Sequence, residues 1–433
     1  MSVKAWRISA VVVVLMLAAC SFPSLEDEPD PQRASDTVTR ALKDVERFWG
    51  AQFPELTGGK RFQPVQGGYY PYTKNDPAPA CGGQQAGYEP NAFYCPSDDF
   101  IAWDAQTLIP SLESDYGPAL VGVVIAHEYG HAIQARIGPA DQPTVVLEQQ
   151  ADCYAGAWLA DVLAGRSEAF KKLTAQQLDA TVAGLLLLRD QPGIAAAAEG
   201  AHGNAFDRIR ALQEGVEDGV GQCAKYRANN LPVTEVPFST QEEADTGGNL
   251  PYDDAVQQLA ADAQGYWQRT YPELAGRQWP QLQVQAFEAG SPPACERPDA
   301  SAGGAAFYCP DGDFAAFDTT DLGPQLHDRI GDYAVGMLLG DLFARAAQDR
   351  RGVETRDKAG QLTVDCLAGS WTNDILTRRQ TTDSLRLSPG DLDEAVSALL
   401  AFGRASEGGG PTAFERIASY RSGVLQGLSA CRA

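Results

Sequence analysis

The stretch ADCYAGAW at residues 151–158 returns, slightly altered, as VDCLAGSW at residues 364–371. Matching segments lie on both sides of these two stretches, in the same order. A repeat of such a long period indicates two similar domains rather than a solenoid, and 433 residues are enough for both. The further matching pairs are FWGAQFPEL (48–56) with YWQRTYPEL (266–274), FYCPSDDFIAWD (93–104) with FYCPDGDFAAFD (307–318), LTAQQLDATVAGLL (173–186) with LSPGDLDEAVSALL (387–400), and AFDRI (205–209) with AFERI (413–417).

The repeat divides the chain into two copies. We expect the front copy to span residues 36–228 and the rear copy to span residues 250–433. Residues 229–249 between them are polar and contain prolines, which is typical of a linker.

The N-terminus has the layout of a secretory signal. Two basic residues precede an apolar run from Ile8 to Ala19, which is too short to span a bilayer comfortably. The run ends in LAAC, which resembles the lipobox of bacterial lipoproteins. This resemblance implies removal of residues 1–19 and attachment of lipid to Cys20, with the acidic, proline-containing residues 20–35 as a tether. The protein is then expected to be extracytoplasmic and anchored to the cell membrane by its lipid.

Eight cysteines remain besides Cys20, four in each copy and at matching spacing. An even number of cysteines on an exported chain favours disulfides. A cysteine metal site is disfavoured, because the chain lacks the close C-x-x-C pair that such sites use. Because the copies are self-contained, we expect every bridge to lie within one copy. The expected bridges are Cys81–Cys95, Cys153–Cys223, Cys295–Cys309 and Cys366–Cys431.

Hydrophobic periodicity predicts an α+β, mainly helical fold with a small sheet in each copy. The front copy is expected to begin with a helix, pass through a region broken by glycine and proline, and end in several helices. The predicted helices cover residues 39–52, 118–137, 145–164, 174–189 and 203–222, and the strand-like pieces lie near 61–65 and 99–104.

One predicted helix carries the motif His-Glu-x-x-His within VVIAHEYGHAIQ (123–134). His127 and His131 are four residues apart, so both rings lie on one face and can reach one Zn²⁺ at ~2.0–2.1 Å. Glu128 lies beside that face, where it can take a proton from zinc-bound water. An apolar helix has little reason to carry two ionisable rings and a carboxylate without a partner. We therefore expect a zinc site here.

A catalytic zinc site needs a third protein ligand and an open position. Glu148 follows His131 by seventeen residues and shares a helical face with Asp152. We predict Glu148 as the third ligand, and Asp152 as an acceptor that orients a ligand histidine from behind. For Glu148 the alternative is a solvated surface glutamate.

Taken together, these motifs resemble the neutral zinc metallopeptidase family of bacteria. The resemblance rests on HEYGHAIQ followed by LEQQADCYAGAW, with FYCPSDD upstream and HGNAFDR downstream. It implies two tandem zincin-like domains and a hydrolase that cleaves peptide or protein substrates. Its implied zinc ligands are His127, His131 and Glu148, with Glu128 as general base. The resemblance says little about which substrate is cleaved.

The rear copy lacks the residues that a zinc reaction needs. His127, Glu128, His131 and Glu148 align with Asp341, Leu342, Arg345 and Gln361, whereas Gln134, Asp152, Cys153, Gly156 and Trp158 persist as Gln348, Asp365, Cys366, Gly369 and Trp371. A guanidinium ~4 Å from a dication would cost on the order of 8 kcal/mol at an effective dielectric of 20. We expect one Zn²⁺ per chain, in the front copy, and a degenerate pseudo-peptidase domain behind it.

The survival of Asp365 without a histidine to orient leaves a structural role for Asp152 equally open. One hypothesis pairs Asp365 with Arg345 in the vacated site. His202 aligns with Gly410, so this histidine is also lost from the rear copy. We expect His202 to face the active site and bind the oxyanion or the substrate carbonyl, although a surface histidine at a helix start is the alternative. His327 is predicted to be solvated.

The sequence thus predicts a membrane-anchored zinc metallopeptidase, with an extended peptide pairing along the edge of the strand near Phe100–Trp103. A net charge of −23 argues against a nucleic-acid partner. The rival interpretation is a non-enzymatic envelope scaffold lipoprotein with a vestigial or structural zinc site. A hydrolase of peptidoglycan or other amides would use the same zinc chemistry. The rear copy either replaces a partner subunit, shapes a substrate groove or buttresses the front copy.

Overall fold

The computed structural model describes residues 28–85, 87–138, 142–195, 198, 201–234, 236–378, 385–403 and 410–431. The signal segment and Cys20 lie outside the described residues, so lipid attachment stays a prediction. Within the described part of the chain, none of the helices combines the length and the apolar character needed to cross a membrane.

The described chain is mainly helical, with one small sheet in each copy, which confirms the predicted α+β class. Both copies run through the same order of elements, a long helix, a sheet and a set of packed helices. The front copy contains α1 (Pro31–Thr57), β1 (Gly68–Tyr72), β2 (Ala92–Cys95), β3 (Phe100–Asp104), α2 (Leu108–Tyr116), α3 (Pro118–Ile137), α4 (Thr144–Leu163), α5 (Ala175–Leu185), α6 (Ala205–Asp218) and α7 (Val220–Cys223).

A short helix α8 (Gln241–Asp245) lies within the predicted linker and precedes the rear copy. The elements of the rear copy repeat those of the front copy, except that a strand, β5, is added and a 3₁₀ helix (Gly427–Cys431) stands in place of α7. They are α9 (Tyr252–Ala275), β4 (Gln283–Phe287), β5 (Asp299–Ser301), β6 (Ala306–Cys309), β7 (Phe314–Asp318), α10 (Leu322–Arg329), α11 (Asp332–Asp349), α12 (Lys358–Thr377), α13 (Asp391–Gly403) and α14 (Ala413–Gln426).

The helix predicted over residues 118–137 has those bounds, whereas the helix predicted over residues 203–222 is broken at Gly219 into α6 and α7. Two further predictions also need correction. Helix α1 begins at Pro31, inside the predicted tether, because the Asp30 side chain accepts hydrogen bonds from the first free backbone N–H groups. Residues 61–65 form no strand, because side chains of α3 satisfy their backbone. Arg136 donates to the Pro64 carbonyl, and the Tyr129 hydroxyl accepts from the Val65 N–H.

The two sheets differ at one edge. The front sheet has the order β1-β3-β2, with β1 parallel and β2 antiparallel to β3. The rear sheet has the order β4-β7-β6-β5, and β5 covers the edge of β6 that corresponds to the free edge of β2. The predicted edge pairing along Phe100–Trp103 is therefore wrong, because β3 is the central strand and is paired on both sides.

Several kept positions of the repeated ADCYAGAW motif have a structural role. Gly156 lies so close to α6 that a Cβ there would be 2.0 Å from the Leu212 carbonyl oxygen, and Gly369 is packed against α14 in the same way. The Trp158 indole donates to Asp44 at 2.9 Å, and the rear tryptophan bonds an equivalent aspartate. The predicted disulfides are confirmed, since the paired cysteines are Cys81–Cys95, Cys153–Cys223, Cys295–Cys309 and Cys366–Cys431.

Three buried carboxyl groups of the rear copy meet where α11 and α13 begin. They belong to Asp332, Asp391 and Glu394, and their oxygen atoms lie within 4.8 Å of one another. Burial, assisted by the charge of Asp332, raises the pKa of Glu394 from 4.5 to about 8. The folded protein therefore holds this proton more tightly than the unfolded chain does, and stability falls as the pH rises through this interval.

We predict that Glu394→Gln makes the protein less sensitive to alkaline pH. The amide stays neutral and can still accept the hydrogen bond from the Tyr333 N–H. Urea unfolding at pH 6 and pH 8 should show a loss of at most about 3 kcal/mol in the wild type and a smaller loss in the variant. Equal losses in both proteins would contradict this interpretation.

Candidate metal centre

The candidate site lies where α3 crosses α4. His127 and His131 are one turn apart on α3, and Glu148 lies on the second turn of α4. The helices can approach closely because Gly130, inside the His-Glu-x-x-His motif, has no side chain. A Cβ at this position would lie 2.9 Å from the Ala151 Cα. The glycine between the histidines thus brings the glutamate of α4 within reach of both rings.

The three side chains converge on one point. The Nε2 atoms of His127 and His131 are 3.2 Å apart, and Glu148 places one carboxylate oxygen 3.2 Å from the first and the other oxygen 3.4 Å from the second. A tetrahedral ion with ligands at ~2.0–2.1 Å separates its ligand atoms by about 3.3–3.4 Å. The spacing of these donor atoms therefore fits a zinc ion.

The hydrogen bonds behind the rings support the same fit. His127 Nδ1 lies 2.7 Å from an Asp152 oxygen, and His131 Nδ1 lies 2.9 Å from Gln134 Oε1. If each Nδ1–H donates to its acceptor, both Nε2 atoms direct unprotonated lone pairs at the same point. A Glu148 oxygen is buried there with no hydrogen-bond donor among the described residues. Such convergence of negative charge and lone pairs is suited to a bound cation.

The titration behaviour of the site shows how strongly it attracts positive charge. Burial disfavours the charged form of His127, but Asp152 and Glu148 outweigh it and raise the pKa of His127 to about 10. Burial also opposes ionisation of Asp152, yet Arg208 and His127 lower its pKa to about 2. Without an ion the ring thus takes up a proton, and zinc and protons compete for the same nitrogen.

Asp152 also has a second partner that explains why it survives in the rear copy. Arg208 on α6 donates to both Asp152 oxygens at 2.9 Å, and both side chains are buried. In the rear copy Arg416 donates to both Asp365 oxygens at 2.6 and 2.9 Å. The aspartate therefore joins α4 to α6 in the front copy and α12 to α14 in the rear copy, with or without a histidine beside it.

The hypothesis that Asp365 pairs with Arg345 is wrong. Asp365 is already held by Arg416, and the Arg345 guanidinium instead bonds Asp341 at 2.7 Å and Asp299 at 2.8 Å. Asp299 belongs to β5, the strand that the front sheet lacks. A guanidinium fixed between two carboxylates thus stands where the front copy has a histidine.

Glu128 lies in the same cavity as the three candidate ligands. The cavity has a volume of about 850 Å³ and is bordered on one side by β2. Burial raises the pKa of Glu128, while the neighbouring histidines and the Tyr94 backbone N–H act in the opposite direction. A carboxylate with a raised pKa beside the metal point is suited to accept and return a proton.

The remaining two histidines lie outside the cluster. His202 is on the rim of the same cavity, its side chain 47% exposed and its Nδ1 3.4 Å from an Asp190 oxygen. Its predicted role at the substrate carbonyl stays a prediction. The prediction for His327 is wrong, since its side chain is only 18% exposed and its Nε2 lies 2.7 Å from the Leu250 carbonyl oxygen.

Two residues that support the site were not predicted from the sequence. Arg208 holds Asp152, and Gln134 holds His131 while donating to the Leu147 carbonyl on α4 at 2.7 Å. The joint persistence of Asp152 and Arg208 in both copies was the available signal for their pairing. Nothing comparable points to β5, because the front copy has His131 in place of Arg345, the residue that bonds β5.

Comparison with known proteins finds similarity in the part of the chain that contains this site. Residues 20–226 match the family described as "Putative neutral zinc metallopeptidase". The chain is 31% identical over 149 residues to the uncharacterized protein YpfJ of Escherichia coli K12, which covers 30% of this chain and 49% of that protein. It is 40% identical over 91 residues to the uncharacterized protein Rv2575 of Mycobacterium tuberculosis H37Rv, which covers 18% of this chain and 30% of that protein. The chain thus spans about half the length of the first relative and less of the second, and no solved structure matches it.

We predict that Asp152→Asn weakens zinc binding by ~10–100-fold, because the ligand ring of His127 loses its charged acceptor. Asp365→Asn is the matched control, since it weakens the same kind of buried pair with arginine but touches no candidate ligand. Competition with a chelating dye measures both affinities. Equal zinc affinity in the two variants would show that Asp152 does not support the metal.

Proposed function

We propose that this protein is a zinc metallopeptidase in which the front copy binds one Zn²⁺ and cleaves peptide bonds. The observation that carries the proposal is the convergence of His127, His131 and Glu148 on one point, with Glu128 in the same cavity. The family match over residues 20–226, which includes these four residues, also supports zinc and peptide hydrolysis. The proposal includes export and attachment to the membrane through lipid on Cys20, as the N-terminal sequence suggests.

In the proposed mechanism His127, His131 and Glu148 hold the ion, and Asp152 and Gln134 fix the orientation of the two rings. A zinc ion bound there would polarise the scissile carbonyl and acidify the attacking water. Glu128 takes the proton of that water and delivers it to the leaving amine nitrogen. The raised pKa of Glu128 favours the first transfer, because a carboxylate of higher pKa is a stronger base toward the proton of the water.

The edge of β2 provides a place for an extended substrate. The Asn91 carbonyl accepts a hydrogen bond from the Asp104 N–H, so alternate residues Ala92 and Tyr94 direct their backbone groups away from β3. In the rear copy the equivalent edge is occupied by β5, which runs antiparallel to β6. We infer that a peptide pairs along this edge with the carbonyls of Ala92 and Tyr94, because the Ala92 N–H already donates to the Asn91 side chain and the Tyr94 N–H faces Glu128.

We predict that Glu128→Gln lowers kcat by ~10²–10⁴-fold while one zinc per chain remains bound, because only the proton carrier is lost. Glu148→Gln, in contrast, should lose zinc and activity together. Zinc content and cleavage of a broad peptide library measure the two effects.

Other outcomes of this experiment would favour the rival functions. A wild type that binds one zinc but cleaves no peptide would support a scaffold lipoprotein. Cleavage of peptidoglycan fragments without cleavage of peptides would support an amide hydrolase of the cell wall. Full activity of Glu128→Gln would contradict the mechanism.

A further inference from the structure

The two copies contact each other through equivalent surfaces. Helices α5 and α6 of the front copy pack against α13 and α14 of the rear copy, and each of the four touches both helices on the other side. In the repeat, α5 corresponds to α13 and α6 to α14. The contact is therefore made by the same pair of helices from each copy.

Two aspartates at equivalent positions of the repeat make reciprocal contacts across this surface. Asp179 on α5 accepts hydrogen bonds from the backbone N–H groups of Ala413 and Phe414, which begin α14, both at 3.1 Å. Asp393 on α13 accepts one from Phe206, near the start of α6, at 3.0 Å. Each copy thus supplies acceptors for the free N–H groups at a helix start of the other.

The centre of the surface is self-complementary as well. Gln213 and Arg421 are equivalent residues in the repeat, and they bond each other directly, with the Arg421 guanidinium 3.0 Å from Gln213 Oε1. Residues that meet their own equivalents lie on a twofold axis, and reciprocal contacts around such an axis define an isologous dimer interface. The copies are therefore arranged as two subunits of a pseudo-twofold dimer joined in one chain.

The two equivalent aspartates differ in one contact. Asp393 also pairs with Arg189, whose Nε lies 3.2 Å from an Asp393 oxygen, and Arg189 borders the front cavity. Asp393 is buried, whereas the Arg189 side chain is 32% exposed. Asp179 instead caps α14 of the rear copy. Among its described residues, the rear copy has no cluster equivalent to His127, His131 and Glu148. Only one of the two equivalent aspartates therefore touches the wall of the candidate active site.

We propose that the rear copy acts as a fused partner subunit whose Asp393 positions Arg189 at the wall of the front cavity. The effect on substrate rests on the proposed peptidase function, but the positioning of Arg189 does not. The residue next to Arg189 is held from the front copy as well. Arg208, one turn into α6, donates a hydrogen bond to the Leu188 carbonyl. Asp393 is a positioning residue and takes no part in the chemical step.

The test compares Asp393→Ala with Asp179→Ala in the full chain. Both variants lose an acceptor at a helix start of the other copy, so both should lower the Tm by about 2–4 °C. Asp393→Ala should also raise the KM for a peptide substrate ~10-fold, with kcat within about twofold, because the cavity wall shifts and the metal ligands do not. Asp179→Ala should leave both kinetic constants unchanged.

A readout without peptidase activity keeps the two proposals separate. In Asp393→Ala, release of Arg189 should accelerate limited tryptic cleavage after Arg189 by ~10-fold. In Asp179→Ala the cleavage rate should equal that of the wild type. Mass spectrometry of the released peptides measures the cleavage rate. Equal tryptic rates in the two variants would overturn the positioning role even if the wild type is an active peptidase. A wild type without peptidase activity would refute the proposed function, and the tryptic rates would still decide the role of Asp393.

Discussion

The buried ion pair between Asp152 and Arg208 is the interaction on which the candidate site depends. It joins α4 to α6 at the level where α4 also meets α3, and its carboxylate is the same group that bonds His127. A buried carboxylate with a single histidine partner would be poorly compensated, whereas the guanidinium keeps it ionised. The pair thus supplies a fixed negative charge behind the ring of a candidate metal ligand, and it does so as part of the packing of three helices.

The rear copy shows what the same framework becomes without the metal point. Its own buried pair, Asp365 with Arg416, is kept, but Arg345 now occupies the position of a ligand histidine. The guanidinium is held by Asp341 and by Asp299 of the added strand β5. The charge of Arg345 is thus neutralised by these two carboxylates. Strand β5 also pairs with the edge of β6, whereas no described strand pairs with the equivalent edge of β2. The rear copy thus has the same packing as the front copy, with β5 paired along the edge that borders the cavity in the front copy.

The sequence was sufficient for those features that both copies share or that one motif specifies. Spacing of the cysteines predicted four bridges, and the spacing of His127 and His131 predicted one shared face. The sequence did not predict the partners of side chains that come from distant segments, such as Arg345 with Asp299. The prediction of a strand near residues 61–65 was wrong for a related reason. Side chains of α3 bond the backbone of this segment, and local hydrophobic periodicity carries no information about such contacts. The arrangement of the copies required coordinates, because reciprocity of Asp179 and Asp393 is a property of two surfaces together.

The central claim is that three side chains of the front copy bind one zinc ion and that the rear copy binds none at the equivalent place. Anomalous diffraction recorded on either side of the zinc absorption edge, from crystals of the purified protein, tests it most directly. The account predicts one peak at ~2.0–2.1 Å from His127 Nε2, His131 Nε2 and a Glu148 oxygen. A peak at the buried carboxylates of Asp332 and Glu394 instead, or no zinc peak in zinc-loaded crystals, would contradict it.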